Sequence, residues 1–417
     1  MKSIKIFVLL LLIIPFTLLA QKNSNGIHFI HGKHWKSILS QAKKENKFIF
    51  VDCYTTWCGP CRNMAKNIFT QEKVGNFFNK SFLSFKAQID STSEDNAEIK
   101  LLYADFSYIN NTYKISVYPT YLFFNPNGEL VHKFVGSMSA DDFIKQSKNA
   151  LSPTTQYYSL LKQYSQHTTD SSFLKKLMIA ASEANENATT YFDAYVKTQP
   201  TMFTKENVTF LTMFTEDMNS AAFKMIVNNQ KEYDKLEGEG KANDLIVKIL
   251  VNSYYQNLFP KEQVTNADKS TADKIMASYP QQADEAIALA TVLFLKSTQK
   301  WSYFALAIRD YMEKYGAKIN SHEQLNDYAW AVFENCDNIK LLNEALKWSK
   351  RSLSGNDSDE PMFIDTYANL LYRLGNKKEA LQWERKALTL AGEDKSSYEE
   401  TISKMEKNEK TWKEVAK

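Results

Sequence analysis

The sequence predicts an α/β domain followed by an all-α domain, and three observations lead to this prediction. Short apolar segments rich in β-branched and aromatic residues, such as 48–51, alternate with helical patterns as far as residue 150. Two cysteines, Cys58 and Cys61, lie where one of these strands passes into a helix. From residue 153 onward, helical patterns follow one another with short polar breaks and no strand alternation.

Composition and the first twenty residues place limits on where the protein works. The net charge of +3, from 51 basic and 48 acidic residues, gives no reason to expect nucleic acid as a partner. Residues 1–20 begin with two lysines, continue as an apolar run and end at Ala20, which is typical of a secretory signal peptide. The run is shorter than the roughly 20 residues of a spanning helix. We expect an exported protein without a membrane span after signal cleavage, periplasmic if the source is a Gram-negative bacterium.

The elements of the α/β domain follow from their apolar patterns. Helical spacing of apolar residues predicts a helix at 35–46, and the β-branched and aromatic segment 48–51 predicts a buried strand after it. The later elements, in chain order, are a helix at 62–69, a strand at 82–89, a helix around 101–106, a strand at 121–124, a turn at 125–128 and a strand at 130–136.

The cysteine pair has the spacing of a redox site. Cys58 falls at the start of the predicted helix, where free N–H groups favour a negative charge and lower the pKa of a thiol. Cys61 lies one turn later on the same side and can form a disulfide with Cys58. Gly59 permits the close approach, and Pro60 suits a first helical turn. Taken alone, Cys-x-x-Cys is also compatible with a structural disulfide or half of a zinc site.

The surrounding residues resemble the thioredoxin family over roughly residues 34 to 150. Trp57-Cys58-Gly59-Pro60-Cys61 matches the active-site motif of that family residue for residue. The resemblance implies a thioredoxin fold for residues 21–152 and a redox disulfide between Cys58 and Cys61. It also implies roles for residues outside the motif. Asp52 matches the buried aspartate of the family, and Lys86 matches the lysine that pairs with it. Pro119 matches the cis-proline facing the cysteines, and Gly136 matches the glycine after the last strand.

Substrate contacts are expected beside the motif. Trp57 supports the active-site loop, and Pro119 leaves the backbone before it free to pair with a peptide strand. Tyr118 either contacts a bound peptide or packs against Trp57. The 28 residues between Asp90 and Pro119 exceed the length of this segment in ordinary thioredoxins, so the choice of partner does not follow from the resemblance.

The other cysteines and the histidines are interpreted as structural. Cys53 alternates with Asp52 along its strand and therefore points to the opposite face, where a small buried hydrophobic residue is expected. Cys336 receives the same interpretation. Three histidines recur every third residue at positions 28, 31 and 34, and we interpret them as a polar edge because no cysteine or carboxylate cluster accompanies them. No metal and no cofactor are predicted.

Residues 153–417 are predicted to form a series of helical hairpins. The predicted helices are 157–164, 173–184, 191–196, 208–214, 221–227, 245–258, 283–295 and 303–315. An internal repeat follows, in which 343–348 aligns with 378–383 at an offset of 35 residues. Small residues in the later copy resemble those of tetratricopeptide (TPR) repeats, most clearly over residues 322–391.

The sequence therefore predicts an exported thiol–disulfide oxidoreductase whose helical domain docks partner proteins. Cys58 attacks and Cys61, lying deeper, resolves, with Asp52 as the base and Lys86 tuning it. A disulfide reductase is favoured over an oxidase or isomerase because Gly-Pro between the cysteines resembles reducing thioredoxins. Expected partners are proteins with cysteines or disulfides and a membrane-bound electron donor. The alternative is a TPR-like scaffold whose thioredoxin domain binds clients without turnover.

Overall fold

The computed structural model describes residues 25–215, 217–262, 264–357, 359–392 and 395–413. The predicted signal peptide, 1–20, lies outside these residues. The chain divides into two compact units, one ending at Thr201 and one beginning at Met202. The first unit contains the sheet and also the helices at 157–198, so the predicted domain boundary after residue 152 stays a prediction. No helix in the described ranges is long and apolar enough to cross a membrane.

The first unit is built on a five-stranded mixed sheet. Its strands are β1 (Phe29–Ile30), β2 (Phe48–Tyr54), β3 (Phe82–Gln88), β4 (Thr120–Phe124) and β5 (Leu130–Val135), in the spatial order β1-β3-β2-β4-β5. β3 runs parallel to β1 and β2, whereas β4 runs antiparallel to β2 and β5. The central β2 is buried on both faces, which explains its nearly continuous apolar sequence.

Helices cover the sheet, and each face has its own core. One core contains Phe50, Phe78 and Tyr121, and the other contains Val51 and Phe85. The helices of this unit are α1 (Trp35–Glu45), α2 (Gly59–Asn63), α3 (Glu72–Ser81), α4 (Ala97–Leu101), α5 (Tyr103–Tyr113), α6 (Ala140–Asn149), α7 (Tyr157–Gln163), α8 (Ser171–Glu183) and α9 (Thr189–Thr198). Apart from the helix at 62–69, the predicted strands and helices of this unit are present, although the helix predicted around 101–106 is interrupted at Leu102. β1, α3 and α6 were not anticipated from the sequence.

The helix predicted at 62–69 differs from the observed structure. α2 ends at Asn63, and a π-helical turn at Met64–Ile68 follows it. The Phe69 N–H donates to the Met64 carbonyl, 2.9 Å away. The wider turn brings the side chains of Met64, Ile68 and Phe69 into the same core. In a regular α-helix these three side chains would be spread over a broader arc of the helix surface.

The second unit contains only helices and their connections in the residues that the structure describes. They are α10 (Lys205–Met213), α11 (Ala221–Asn228), α12 (Gln230–Glu237), α13 (Lys241–Leu258), α14 (Lys269–Ser278), α15 (Ala283–Ser297), α16 (Trp301–Tyr315), α17 (His322–Asn335), α18 (Ile339–Ser352), α19 (Pro361–Arg373), α20 (Lys377–Leu390) and α21 (Ser396–Glu406). The predicted all-α character is confirmed. In the repeat, Ala345 and Ala380 are both fully buried, as closely paired helices require. Membership of the TPR class stays a prediction.

Candidate active site

The cysteine pair lies directly beyond the carboxyl end of β2. A short turn leads from Tyr54 to Cys58, which is the residue before the first turn of α2. The sulfur atoms of Cys58 and Cys61 are bonded at 2.04 Å. The backbone N–H of Cys61 donates to the Cys58 sulfur, 3.1 Å away. A helix N–H pointing at this sulfur favours negative charge on it.

Accessible surface does not separate the two cysteines. Cys58 is 3% exposed and Cys61 is 6% exposed. These values do not support the expectation that Cys61 lies deeper than Cys58. The distinction between them comes from position, because Cys58 alone accepts the helix N–H bond. The exposed part of the site is Trp57, whose side chain is 67% exposed.

Asp52 is a buried carboxyl on β2 with one cationic partner. It is 3% exposed, and its Oδ2 lies 3.7 Å from the Lys86 ammonium. Its Oδ1 has no hydrogen-bond partner among the described residues. Burial raises the pKa of Asp52 from 3.8 to about 6, with Lys86 opposing this effect by charge and by hydrogen bonding. The carboxyl therefore exchanges a proton close to neutral pH.

Register explains why Asp52 and Lys86 meet. β2 and β3 are parallel, and Asp52 lies directly beside Lys86 in the ladder. The two side chains therefore share one face of the sheet. Cys53 points to the opposite face, fully buried in the other core as predicted, and burial raises the pKa of its thiol well above the usual range.

Three aromatic rings surround the Lys86 ammonium. Its Nζ lies 4.9 Å from the ring centre of Tyr54, 5.2 Å from that of Phe29 and 5.9 Å from that of Phe69. Such contacts attract the ammonium and restrict where it lies. Phe29 comes from β1 and Phe69 from the end of the π-helical turn, so elements distant in sequence hold this cation beside Asp52.

The cis-proline loop forms the neighbouring wall. The Tyr118–Pro119 peptide bond is cis, as the resemblance implied. The Gly136 N–H donates to the Pro119 carbonyl at 2.9 Å, which ties the loop to the end of β5. The rings of Tyr118 and Trp57 pack edge to face, with 5.7 Å between their centres. Of the two roles considered for Tyr118, the structure therefore records the packing against Trp57.

The active-site turn has a polar anchor that the sequence analysis did not identify. The backbone N–H of Thr56 donates to Asp90 at 3.0 Å, and its hydroxyl also donates to that carboxylate. The Arg62 guanidinium donates to the Thr56 carbonyl, 2.9 Å away. These contacts fix the turn that carries Trp57. The only sign of this anchor in the sequence was the position of Asp90, an acidic residue just after a predicted strand.

A second polar cluster ties the long insertion to the same end of the sheet. Asp95 accepts hydrogen bonds from Gln88 at 3.0 Å and from the Tyr103 hydroxyl at 2.6 Å. The hydroxyl of Tyr54, one of the rings around Lys86, donates to Gln88. Helix α5 of the insertion is thereby connected to the residues around the buried carboxyl.

Other residues considered for chemistry lie elsewhere. His31 is 3.4 Å from Glu98, and His34 is 2.7 Å from Asp105. No group of three or more potential metal ligands occurs in the part of the chain that the structure describes. Cys336 is buried, and burial raises the pKa of its thiol to about 11.

Comparisons with known proteins agree with this geometry. A family model described as a thioredoxin-like domain matches residues 35–151. Thioredoxin Y from rice chloroplasts (Oryza sativa subsp. japonica) is 32% identical over 110 residues, which are 26% of this chain and 54% of that protein. Thioredoxin H4 of Arabidopsis thaliana is 31% identical over 107 residues, which are 26% of this chain and 75% of that protein.

Solved structures were compared as well. The solution structure of a candidate disulphide-isomerase from Bacteroides thetaiotaomicron is 32% identical, covering 30% of this chain and 93% of that one with a TM-score of 0.25. The chain thus spans about half the length of the first curated relative and three quarters of the second.

Proposed function

Because this chain belongs to the thioredoxin family of disulfide oxidoreductases, we propose that it reduces disulfide bonds in client proteins by dithiol–disulfide exchange. The observation that carries the proposal is the Cys58–Cys61 pair at the start of α2, with Cys58 accepting a helix N–H bond. Asp52, a carboxyl with a pKa near 6, completes the set of groups that the exchange needs.

The proposed cycle begins with the reduced protein. The Cys58 thiolate attacks one sulfur of a client disulfide, and the other client sulfur leaves as a thiolate that takes a proton from water. Cys61 then loses its proton to Asp52 and attacks the Cys58 sulfur. The second client thiolate leaves, and the Cys58–Cys61 disulfide forms. Two electrons pass to the client, and a dithiol partner must return two electrons to the protein.

Asp52 and Lys86 have separate parts in this cycle. A carboxyl with a pKa near 6 is mostly ionised at neutral pH and still basic enough to accept a thiol proton. Lys86 keeps that pKa from rising further, because its ammonium stabilises the carboxylate. Trp57, Tyr118 and Pro119 form the surface beside the disulfide against which a client segment would lie.

Export and docking complete the proposal. Residues 1–20 support export, and the electron donor is then a membrane-bound protein, with the periplasm as the site of action in a Gram-negative cell. The all-α second unit supports a role in holding partner proteins.

Insulin reduction in the presence of dithiothreitol tests the proposal. Wild-type protein should accelerate insulin precipitation, and Cys58→Ser should abolish this activity. Cys61→Ser should retain clients as mixed disulfides that are released by reductant. Cys336→Ser, which changes a buried cysteine in the second unit, is the matched control and should retain activity.

The direction of electron flow has its own measurement. Equilibration with glutathione gives the reduction potential of the Cys58–Cys61 pair, and a reductase requires a value well below that of oxidising Dsb-type proteins. No thiol turnover by wild-type protein, together with capture of a partner through residues 202–417, would replace the enzyme with a binding scaffold. A strongly oxidising potential would replace the reductase with an oxidase or isomerase.

A further inference from the structure

Three cavities in the second unit adjoin one another through shared lining residues. The first has a volume of about 380 Å³ and shares Val251 and Leu293 with a second cavity of about 820 Å³. It shares Ile319 and Asn320 with a third cavity of about 620 Å³. We call this the basic groove, and its walls come from α13, α15, α16, α17, α18 and the segment 318–321.

The floor of the basic groove is apolar. Val247 and Val251 of α13 contribute buried side chains, and Leu293 of α15 is 36% exposed. Tyr255 and Trp301 line the end formed by the second cavity. A groove with an apolar floor suits an extended chain that buries alternate apolar side chains.

Charge in the basic groove is strongly one-sided. Among the described residues, its lining contains seven lysines and arginines but two carboxylates. Two of these cations pair with carboxylates outside the lining, Lys296 with Asp327 at 3.7 Å and Lys347 with Glu344 at 2.8 Å. By contrast, a nearby cavity lined by Arg309, Glu313 and Glu344 has no cationic excess.

Both carboxylates of the basic groove already have lysine partners. Asp244 lies 3.7 Å from the Lys241 ammonium. Glu285, which is 6% exposed, pairs with Lys318 and accepts from the Asn243 amide at 3.0 Å. Both carboxylates of the groove are therefore neutralised by lysines, and they do not balance the charge of its other cations.

Three of those cations have no carboxylate partner among the described residues. Lys248 and Lys350 are exposed and form no ion pair there. Arg351 donates to the carbonyl oxygens of Gly316 and Ile319 at 3.0 and 2.8 Å, which holds the guanidinium in place without neutralising it. Unbalanced cations in the first and third cavities, together with the apolar side chains of the first and second, form a surface complementary to an anionic and partly apolar chain.

We propose that the basic groove binds an extended acidic segment of a partner protein, in which carboxylates alternate with apolar residues. The carboxylates face Lys248, Lys350 and Arg351, and the apolar side chains lie on the floor. This inference rests on the docking role proposed for the helical unit and does not depend on the thiol chemistry.

A peptide fits this groove better than nucleic acid does. Nucleic acid has a phosphate at every nucleotide and offers a groove no aliphatic side chain to bury. The apolar floor formed by Val247, Val251 and Leu293 matches aliphatic side chains, which nucleic acids lack.

Fluorescence anisotropy with the full-length oxidised protein tests the proposal. The probe is a fluorescein-labelled, cysteine-free peptide in which glutamate alternates with leucine or valine, and the comparison peptide has lysine at each glutamate. The acidic peptide should bind at low ionic strength and more weakly at about 0.15 M salt. Lys248→Glu and Lys350→Glu should each weaken binding by about tenfold, since each reverses one attractive charge.

Lys340→Glu is the matched control because it makes the same charge change outside the groove, in a different cavity of the second unit. It should leave the affinity within about twofold of wild type. Equal binding of the acidic and basic peptides, or equal weakening by Lys340→Glu, would overturn the proposal. Tighter binding of a single-stranded oligonucleotide than of the peptide would also overturn it. Insulin reduction by wild type, measured in parallel, reports failure of the thiol chemistry separately.

Discussion

Replacing Asp52 by asparagine should stabilise the sheet unit at neutral pH and leave its stability unchanged in mild acid. Burial raises the pKa of Asp52 from 3.8 to about 6, so the folded protein binds this proton more tightly than the unfolded chain does. Stability therefore falls as the pH rises from about 4 to about 6, and the loss is complete above that range. A difference of about two units corresponds to about 3 kcal/mol.

The asparagine side chain carries no charge at any pH, so the Asp52→Asn variant should gain up to about 3 kcal/mol at pH 7.5 and close to nothing at pH 4. Lys86 loses its partner in the variant, but its side chain is 30% exposed and stays hydrated. Hydrogen exchange of β2 and β3 amides, measured against urea concentration in the oxidised protein, reports this unit separately from the helical one.

Asp141→Asn provides the control, because this carboxyl is 81% exposed and pairs only with an exposed lysine. It should change the free energy of unfolding by less than about 0.5 kcal/mol at either pH. The reasoning fails if Asp52→Asn gives the same change at both pH values, or if wild type is the more stable protein at pH 7.5.

Three further predictions concern other polar contacts of the first unit. Burial lowers the pKa of His132 from 6.5 to about 4, so stability should fall as the pH drops through that range, and His132→Gln should remove this dependence in urea titrations. Glu186→Ala should destabilise the unit by about 3 kcal/mol, because it leaves the buried Lys133 ammonium without its carboxylate partner. In a double-mutant cycle, adding Lys133→Met should restore part of the lost stability. Asp90→Asn should speed hydrogen exchange at Thr56 about fivefold, the equivalent of about 1 kcal/mol, and an unchanged rate would show that the carboxylate does not hold the turn.

Much of the sheet and the centre of the site could be predicted because they depend on local sequence. β2 is a continuous apolar segment, and the cysteine spacing brings two sulfurs to one side of one helical turn. The pairing of Asp52 with Lys86 follows once the two strands are placed in parallel register.

The features that were missed depend on tertiary contacts. β1 has two residues and no alternation, yet its Phe29 lies against the Lys86 ammonium. α3 contains Gly75, which weakens a helical pattern. A side chain at Gly75 would collide with the backbone of residues 25 and 26, with a Cβ 2.2 Å from the Asn25 oxygen, so glycine is required there by packing that the sequence does not display.

The contacts between β5 and the helices that follow residue 152 have a practical consequence for the design of shorter fragments. The Tyr157 N–H donates to the ring of His132 at 3.1 Å, and Glu186 lies 2.7 Å from the Lys133 ammonium. A protein truncated after residue 152 would expose an outer strand whose histidine and lysine have lost the groups that satisfy them. We therefore expect a fragment that ends at residue 152 to be less stable than one that extends to Thr201, where the first compact unit ends.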